Sequence, residues 1–411
     1  MKILLSAYAC DPSKGAESQN GWNWAVELAR AGHEVTCLTT DWGKAAIESQ
    51  LARVPVPGLE MVFVAVPSWV ARSYVNQVGV LLHYLYWQKE ALAAAQRPER
   101  NFNSFDLVHH VTYASLQMGT SLWKLGKPLV FGPVGGGQQA PAGFGRFFGG
   151  EWHREVLRRW LGALLVHANP NTRHTISRAA LVLASNQDTH RLARRLGASR
   201  VLTMLDSSVP DEFYPPAAPV RPPGPVLRLL WVGRLIGRKA LPLALEALAQ
   251  ATDVPFTLTI LGDGPQRKQL PQWLKHYQLE DRVTWCGQVP WSEVRQAYLT
   301  HDAFLFTSLR DSFGTQLLEA MACGLPLVTL DLHGASTLVP DEAGIKVPVT
   351  DPATTVRALA DAVRLLHQQP KRRLAMGASG YAYARAQTWE HKVAAATAAY
   401  QQIVGSGVPV A

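Results

Sequence analysis

At 411 residues the chain is too long for one small core and suits two or three domains. Its 47% apolar and 17% charged content excludes a disordered chain, and four cysteines with neither metal-ligand spacing nor disulfide density exclude a zinc site and point to a reducing compartment. The net charge of +9 is concentrated between Arg146 and Arg200, where ten arginines meet three acids. Such a patch suits nucleic acid, anionic lipid or a phosphorylated substrate, and equally a solvated helix face.

In chain order, Lys2 to Tyr8 reads as a first strand. The opening MKILLSAYAC mimics a signal peptide, but its apolar run is short and Tyr8 is bulky beside the would-be cleavage site. A polar loop, CDPSKGAESQNGW, leads into a helix from Gly21 to Ala31, and Glu34 to Thr39 is strand two. No G-x-G-x-x-G and no G-K-[ST] follows the first strand, so neither a dinucleotide cofactor nor a phosphate loop is expected. Met61 to Val66 reads as a strand and Tyr74 to Ala95 as a helix with an aromatic stripe. Its longest apolar segment, Val78 to Trp87, is about half a membrane span and contains His83, so no spanning helix is expected. Asp106 to Val111 is a buried strand carrying His109 and His110 on alternate faces. Lys127 to Phe131 is another, followed by the glycine-rich GPVGGGQQAPAGFG and by Phe144, Phe147, Phe148, Trp152 and Trp160 interleaved with arginines. Mixed aromatic and Arg residues suit a lipid–water interface. Leu181 to Ser185 and Val201 to Met204 complete the first domain, and the proline-rich Pro210 to Pro225 reads as a linker.

The alternation then restarts, with strands at Leu227 to Val232, Phe256 to Leu261, Val283 to Cys286, Ala303 to Thr307 and Leu327 to Leu330 and helical patterns between them. Two doubly wound domains follow. The strand ends hold the informative residues. VGRLIGRKA sets Arg234 and Lys239 five apart, suited to a developing negative charge. LGDGP holds Gly262, Asp263 and Gly264, and CGQVP holds Gln288 and Val289; a plain tight turn is the alternative for each. In RDSFGTQLLEAMACGLPLV, Asp311 precedes a helix opening at Ser312, Phe313, Gly314 and Thr315, where free N–H groups favour an anion. Glu319 lies eight residues after Asp311, and Gly324 and Pro326 close the helix.

The match at Phe313, Gly314, Leu318, Glu319, Ala320, Met321, Ala322, Gly324 and Pro326 resembles the E-x-F-G-x-x-x-x-E-A-M-A-x-G-x-P loop of retaining glycosyltransferases of family four, of the GT-B fold. Asp311 stands where that family has Glu. The resemblance implies an α/β GT-B chain, two Rossmann-like domains facing each other across a cleft. Residues 1–209 would form the acceptor domain, 210–225 the linker, 226–387 the donor domain and 388–411 a helix crossing back to the first domain. It implies that Glu319 holds ribose hydroxyls and that Asp311 contacts sugar hydroxyls. Arg234, Lys239, Gly314 and Thr315 would take the diphosphate, and Gly262, Asp263, Gln288, Val289 and Phe313 would surround the nucleotide. Gly15 matches a family glycine after strand one, and Ala16 stands where a second often occurs. The family's strand histidine corresponds to His110 or His109, with His110 nearer the strand end. No D-x-D element is visible, so metal-free transfer is expected; the resemblance implies retaining transfer of a hexose from a nucleotide diphosphate sugar, UDP before GDP. The acceptor would be a glycan or lipid-linked glycan in surface polysaccharide or glycoconjugate assembly. The protein is expected to be cytoplasmic, with possible peripheral contact of residues 144–200 with an anionic inner membrane face. A non-catalytic sugar-nucleotide scaffold and a basic nucleic-acid-binding protein are the alternatives; no nucleic acid partner is expected, since no recognised module surrounds the basic residues.

Overall fold

A computed structural model describes residues 1–15, 17–98 and 101–405. Ala16 and residues 406–411 of the expected last helix therefore lie outside the described residues. The chain divides into two compact units, one of residues 1–137, 161–207 and 389–411, the other of residues 138–160 and 208–388.

The first unit is built on a seven-stranded sheet of β1 (Lys2–Ala7), β2 (Glu34–Thr40), β3 (Leu59–Val64), β4 (Leu107–Thr112), β5 (Leu129–Val134), β6 (Leu181–Ala184) and β7 (Val201–Thr203). The order is β3-β2-β1-β4-β5-β6-β7 and every pairing is parallel. β4 and β5 are buried at every position, as strands covered on both faces must be. Alternation then decides which layer each side chain meets. Ile3, Leu5 and Ala7 pack with Trp24 of α1 (Glu17–Arg30) and with Trp389, Val393 and Tyr400 of the C-terminal helix Trp389–Gly405. Leu4 and Leu38 pack on the opposite face with Tyr84, Trp87 and Ala91 of α2 (Gln77–Ala95).

The second unit is a six-stranded parallel sheet of order β10-β9-β8-β11-β12-β13. Its strands are β8 (Leu227–Val232), β9 (Phe256–Leu261), β10 (Val283–Trp285), β11 (Ala303–Phe306), β12 (Leu327–Leu330) and β13 (Gly344–Val347). The sequence pattern does not announce β13, a four-residue strand with two half-buried positions and little apolar signal. The segment 138–160 belongs here because Phe144, Phe147 and Phe148 are buried in this unit's core beside Trp231, Leu235 and Leu241, with Trp152 packed against them. This corrects the expected boundary at residue 209 and also the expectation that these aromatics form an exposed interfacial cluster. Trp160 alone of the five is exposed. It lies on α3 (Trp152–Ala168).

The proline-rich stretch is a packed strap. Phe213 and Tyr214 are buried, and Arg221 donates to the carbonyls of Gly324 (2.7 Å), Cys323 (2.7 Å) and Tyr298 (2.8 Å). Two of those carbonyls end α4 (Thr315–Ala322), where a cation meets the negative pole of the helix. Both units are α/β with helices flanking an all-parallel sheet.

Candidate functional site

Two strand-end loops of the second unit are stitched together. The loop after β11 sends the Leu309 N–H to the Arg238 carbonyl (2.9 Å) and the Thr307 hydroxyl to the carbonyls of Lys239 (3.2 Å) and Ala240 (3.1 Å). This brings Asp311 against two cations of the loop after β8. One carboxylate oxygen accepts from Lys239 Nζ at 2.5 Å and from Arg238 at 3.0 Å. Burial pushes the Asp311 carboxyl up, but Lys239 and Arg238 outweigh it and hold the group at about 2. Lys239 itself is only 5% exposed and lies 4.8 Å from the centre of the Phe306 ring. Burial pulls its ammonium down further than Asp311 lifts it, so the ion pair is weaker than the carboxylate alone suggests.

Beside this cluster is a cavity of about 930 Å³ at the carboxyl ends of β8, β9 and β10. The fold places a ligand site at such ends. Arg234, Gly262, Asp263, Gln288 and Val289, all expected from the sequence, line it together with Arg267, Lys268 and Gln316. Arg267 is paired with Asp263 at 3.0 Å. Among the described residues the side chains of Arg234 and Lys268 have no hydrogen-bond or ion-pair partner, and both residues are exposed. Gly262 sits at φ +131°, and a Cβ there would lie 2.0 Å from the Gly233 carbonyl oxygen, so only glycine lets these two turns close. The cavity thus has a tight backbone floor, two available cations and one neutralised acid. Its chemistry suits a phosphorylated ligand.

Lys239, Asp311, Phe313, Gly314, Thr315 and Glu319 stand outside this lining. Phe313 is buried, Gly314 at φ +75° opens α4, and Thr315 is its first residue. Glu319 lies one turn beyond the cavity-lining Gln316, on the same helix face. Its carboxylate accepts the Tyr298 hydroxyl at 3.0 Å and a Trp291 side-chain hydrogen bond. Burial raises its pKa, and those two bonds and Lys239 hold it back.

The first-unit candidates are placed differently. His110 is buried, its Nδ1 2.9 Å from the Ser6 hydroxyl and its Nε2 3.3 Å from the Tyr84 hydroxyl, and it is stacked on Phe131. Burial holds its pKa at about 3. His109 on the other face is equally enclosed, between the Gly132 carbonyl (2.7 Å) and the Tyr400 hydroxyl (2.8 Å). Both imidazoles are core residues with both nitrogens engaged, and neither is presented to a ligand. Gly15 is exposed in the loop after β1, in open space where a Cβ would meet no neighbour within 4 Å.

Sequence reasoning missed Arg238, although it is the first half of the Arg-Lys doublet in VGRLIGRKA. It also missed Lys268 and two acids that reach the same loops from residues 151–155. The Glu151 carboxylate accepts the Gly237 N–H at 2.8 Å, and Glu155 forms an ion pair with Arg310 at 2.8 Å. No local signal marks either acid, because Gly237 lies 86 positions along the chain from Glu151 and Arg310 is further still from Glu155.

Residues 220–383 match the family model for glycosyl transferases group 1. They form a group 1 glycosyltransferase domain. This domain carries the cavity, the Asp311 cluster and Glu319. Over 193 residues the chain is 30% identical to a phosphatidylinositol N-acetylglucosaminyltransferase polypeptide of Arabidopsis thaliana, covering 46% of this chain and 42% of that protein. Over 206 residues it is 31% identical to the putative colanic acid biosynthesis glycosyltransferase WcaL of Escherichia coli K12, covering 48% and 51%. These alignments span about half the length of either relative. The fold likeness runs the whole length. Sucrose-phosphate synthase from Thermosynechococcus elongatus superposes with a TM-score of 0.69 at 19% identity, over 99% of this chain and 100% of that one. Anabaena HepE in complex with UDP and glucose gives 0.60 at 16%, over 97% and 100%. The group 1 domain therefore sits within a two-domain α/β chain of the GT-B fold.

Proposed function

We propose that the chain is a retaining glycosyltransferase that moves a hexose-type sugar from a nucleotide diphosphate sugar, with UDP preferred to GDP, to a glycan or lipid-linked acceptor in surface polysaccharide or glycoconjugate assembly. The observation that carries this reading is the cavity of the group 1 domain, where unpartnered Arg234 and Lys268 stand over the glycine floor at Gly262. Two fixed cations can take the charge that develops on a departing diphosphate. HepE, with the same fold, is described in complex with UDP and glucose, which favours UDP. The names of WcaL and of the phosphatidylinositol N-acetylglucosaminyltransferase favour a polysaccharide or lipid-borne acceptor.

In this reading Gln288 and Val289 flank the base and Glu319 receives the ribose hydroxyls. Asp311, held ionised by Lys239 and Arg238, accepts from the sugar hydroxyls. The acceptor hydroxyl attacks from the face that the diphosphate leaves, and the diphosphate oxygen takes its proton, so configuration is retained. Protein cations stand in for a metal, and no cofactor beyond the donor is needed. The protein would work in the cytoplasm against an anionic membrane face, in keeping with four unpaired cysteines. Among the described residues no helix is long and apolar enough to cross a membrane.

Calorimetric titration with UDP, GDP, ADP and dTDP tests the reading. One nucleotide should bind well, and binding should weaken about ten-fold or more in Arg234→Ala, the loss expected for one charge-assisted contact of roughly 1.5–3 kcal/mol. A folded protein that binds none of the four refutes it. Turnover of the matching sugar nucleotide that persists in EDTA supports the metal-free mechanism, and abolition by EDTA with rescue by a divalent cation refutes it.

A further inference from the structure

The loops that follow the strands of the first unit carry an aromatic cluster that the donor reading does not use. In the order β3-β2-β1-β4-β5-β6-β7 the chain winds from β1 out to β3 and then returns to β4, so its direction reverses between β1 and β4. Ligands of such sheets bind at the carboxyl strand ends beside that reversal. Tyr8 directly follows β1, Tyr113 directly follows β4, and Trp42 lies in the turn Asp41–Gly43 after β2. Tyr74, just before α2, and His83 within it complete the group. The Trp42 turn is seated on the loop after β1, because a Cβ on Gly43 would lie 2.5 Å from the Cys10 carbonyl oxygen.

Trp42 and Tyr74 meet edge to face with ring centroids 4.6 Å apart, and His83 lies against both, at 4.3 Å and 5.4 Å. Trp42 is 41% exposed and Tyr74 40%, whereas His83 is 1% exposed. His83 Nδ1 is 2.9 Å from the Tyr8 hydroxyl, but Nε2 is buried with no hydrogen-bond partner among the described residues. In either tautomer Nε2 keeps one unused capacity, as donor or as acceptor, and a buried group in that state calls for an explanation. Burial lowers the His83 pKa against the pull of Asp41, which keeps the ring neutral at pH 7. Asp41 is exposed, and its carboxylate has no hydrogen-bond or ion-pair partner among the described residues.

Two exposed rings alone are ordinary on a protein surface. Exposed rings beside an unpaired carboxylate and an unpartnered imidazole nitrogen suit a molecule with an apolar face and a rim of hydroxyls. A pyranose is such a molecule. The C–H bonds of one face pack on the negative face of an aromatic ring, and the hydroxyls around its edge need acceptors and donors. The charge of Asp41 favours a neutral sugar over an acidic or phosphorylated one. We infer that Trp42 and Tyr74 form a platform for a neutral pyranose, the terminal sugar of the acceptor glycan, with Asp41 accepting from its hydroxyls and His83 Nε2 bonding a further hydroxyl as the Trp42 ring turns aside. This rests on the glycosyl-transfer reading above: the donor cavity is lined wholly by the second unit, so a sugar held on the first unit's strand ends is the other substrate. These four residues select the acceptor and take no part in breaking the donor bond.

The test is saturation-transfer NMR of the full chain with the methyl glycosides of glucose, galactose, mannose and N-acetylglucosamine, with methyl glucuronide and with farnesyl phosphate, beside UDP affinity by calorimetry. At least one neutral glycoside should bind and quench tryptophan fluorescence, and the glucuronide should not. Trp42→Ala should weaken that binding about ten-fold or more, as truncating a stacked anchor does. Asp41→Ala and His83→Phe should each weaken it about three- to ten-fold, the loss of one hydrogen bond. None of the three should alter UDP affinity. Trp69→Ala, which removes an exposed ring paired with Tyr86, should leave sugar binding unchanged. Should His83→Phe misfold, the Trp42 and Asp41 variants, both at exposed positions, still decide. Failure of every neutral glycoside to bind while UDP binds overturns the platform and leaves the donor reading intact. Sugar binding that survives Trp42→Ala, or farnesyl phosphate binding in place of any sugar, overturns it equally. Glucuronide binding as tight as that of the neutral glycosides overturns the role of Asp41. A sugar site that depends on Trp42, in a chain that binds no nucleotide, supports the platform and overturns the donor reading.

Discussion

Asp311→Asn removes the charge between Lys239 and Arg238 while leaving the shape of the loop. The carboxyl is held at about 2 against an ordinary 3.8, which corresponds to about 2 kcal/mol of stabilisation at neutral pH. The variant also leaves a 5% exposed ammonium without its counter-charge, a situation that typically costs roughly 3–5 kcal/mol. Together these bracket the expected loss at about 2–5 kcal/mol. Because Lys239 is depressed by its own burial, removing both charges should cost less than removing one, so Asp311→Asn with Lys239→Met should recover stability over Asp311→Asn alone. The sign with pH follows from the depressed carboxyl. Its stabilisation is present above about 4, the unfolded value, and is lost as pH falls toward about 2, so wild type and variant should converge on acidification. Thermal unfolding of wild type, both single variants and the double variant at several pH values is the assay. An Asp311→Asn protein within about 0.5 kcal/mol of wild type at pH 7 refutes the argument, as does a double variant less stable than Asp311→Asn.

Gly262→Ala places a methyl 2.0 Å from the Gly233 carbonyl at a backbone angle that side chains avoid; nucleotide binding should fall at least ten-fold with a lower melting temperature, and calorimetry with a thermal scan checks both. Tyr298→Phe removes a donor from Glu319 and should weaken nucleotide binding several-fold, measured by calorimetry, with little change in the sheet's circular dichroism. His110 is buried neutral with its pKa at about 3 against the ordinary 6.5. The unfolded chain therefore takes up a proton first, and stability is full above about 6.5 and falls as pH drops toward 3. His110→Gln should flatten that slope in a melting-temperature series and leave nucleotide affinity at pH 7 unchanged, whereas a large loss of affinity would return His110 to the site. Arg221→Met leaves three carbonyls without their donor and should cost about 1–3 kcal/mol in urea unfolding.

Most strands of both sheets, the helix opening at Gly314 and the cavity residues Arg234, Gly262, Asp263, Gln288 and Val289 are legible in the local pattern of residues. Each of these residues sits at the end of an apolar run, and in a parallel sheet every such end lies on one edge, so local pattern alone collects them. Which charges are spoken for depends on contacts between segments far apart in the chain. Lys239 and Asp311 look like two separate ligand-binding groups in the sequence, but they are partners 72 residues apart. Arg234 and Lys268 are the cations left available in the cavity, and nothing in their neighbours says so. Periodicity likewise could not tell that Phe144, Phe147 and Phe148 are core while Trp160 is exposed, because composition reports the kind of side chain and not the surface it meets. The strand histidines make the same point. A buried His beside a Ser and a Tyr differs from a ligand-facing one only in what folding brings to its two nitrogens.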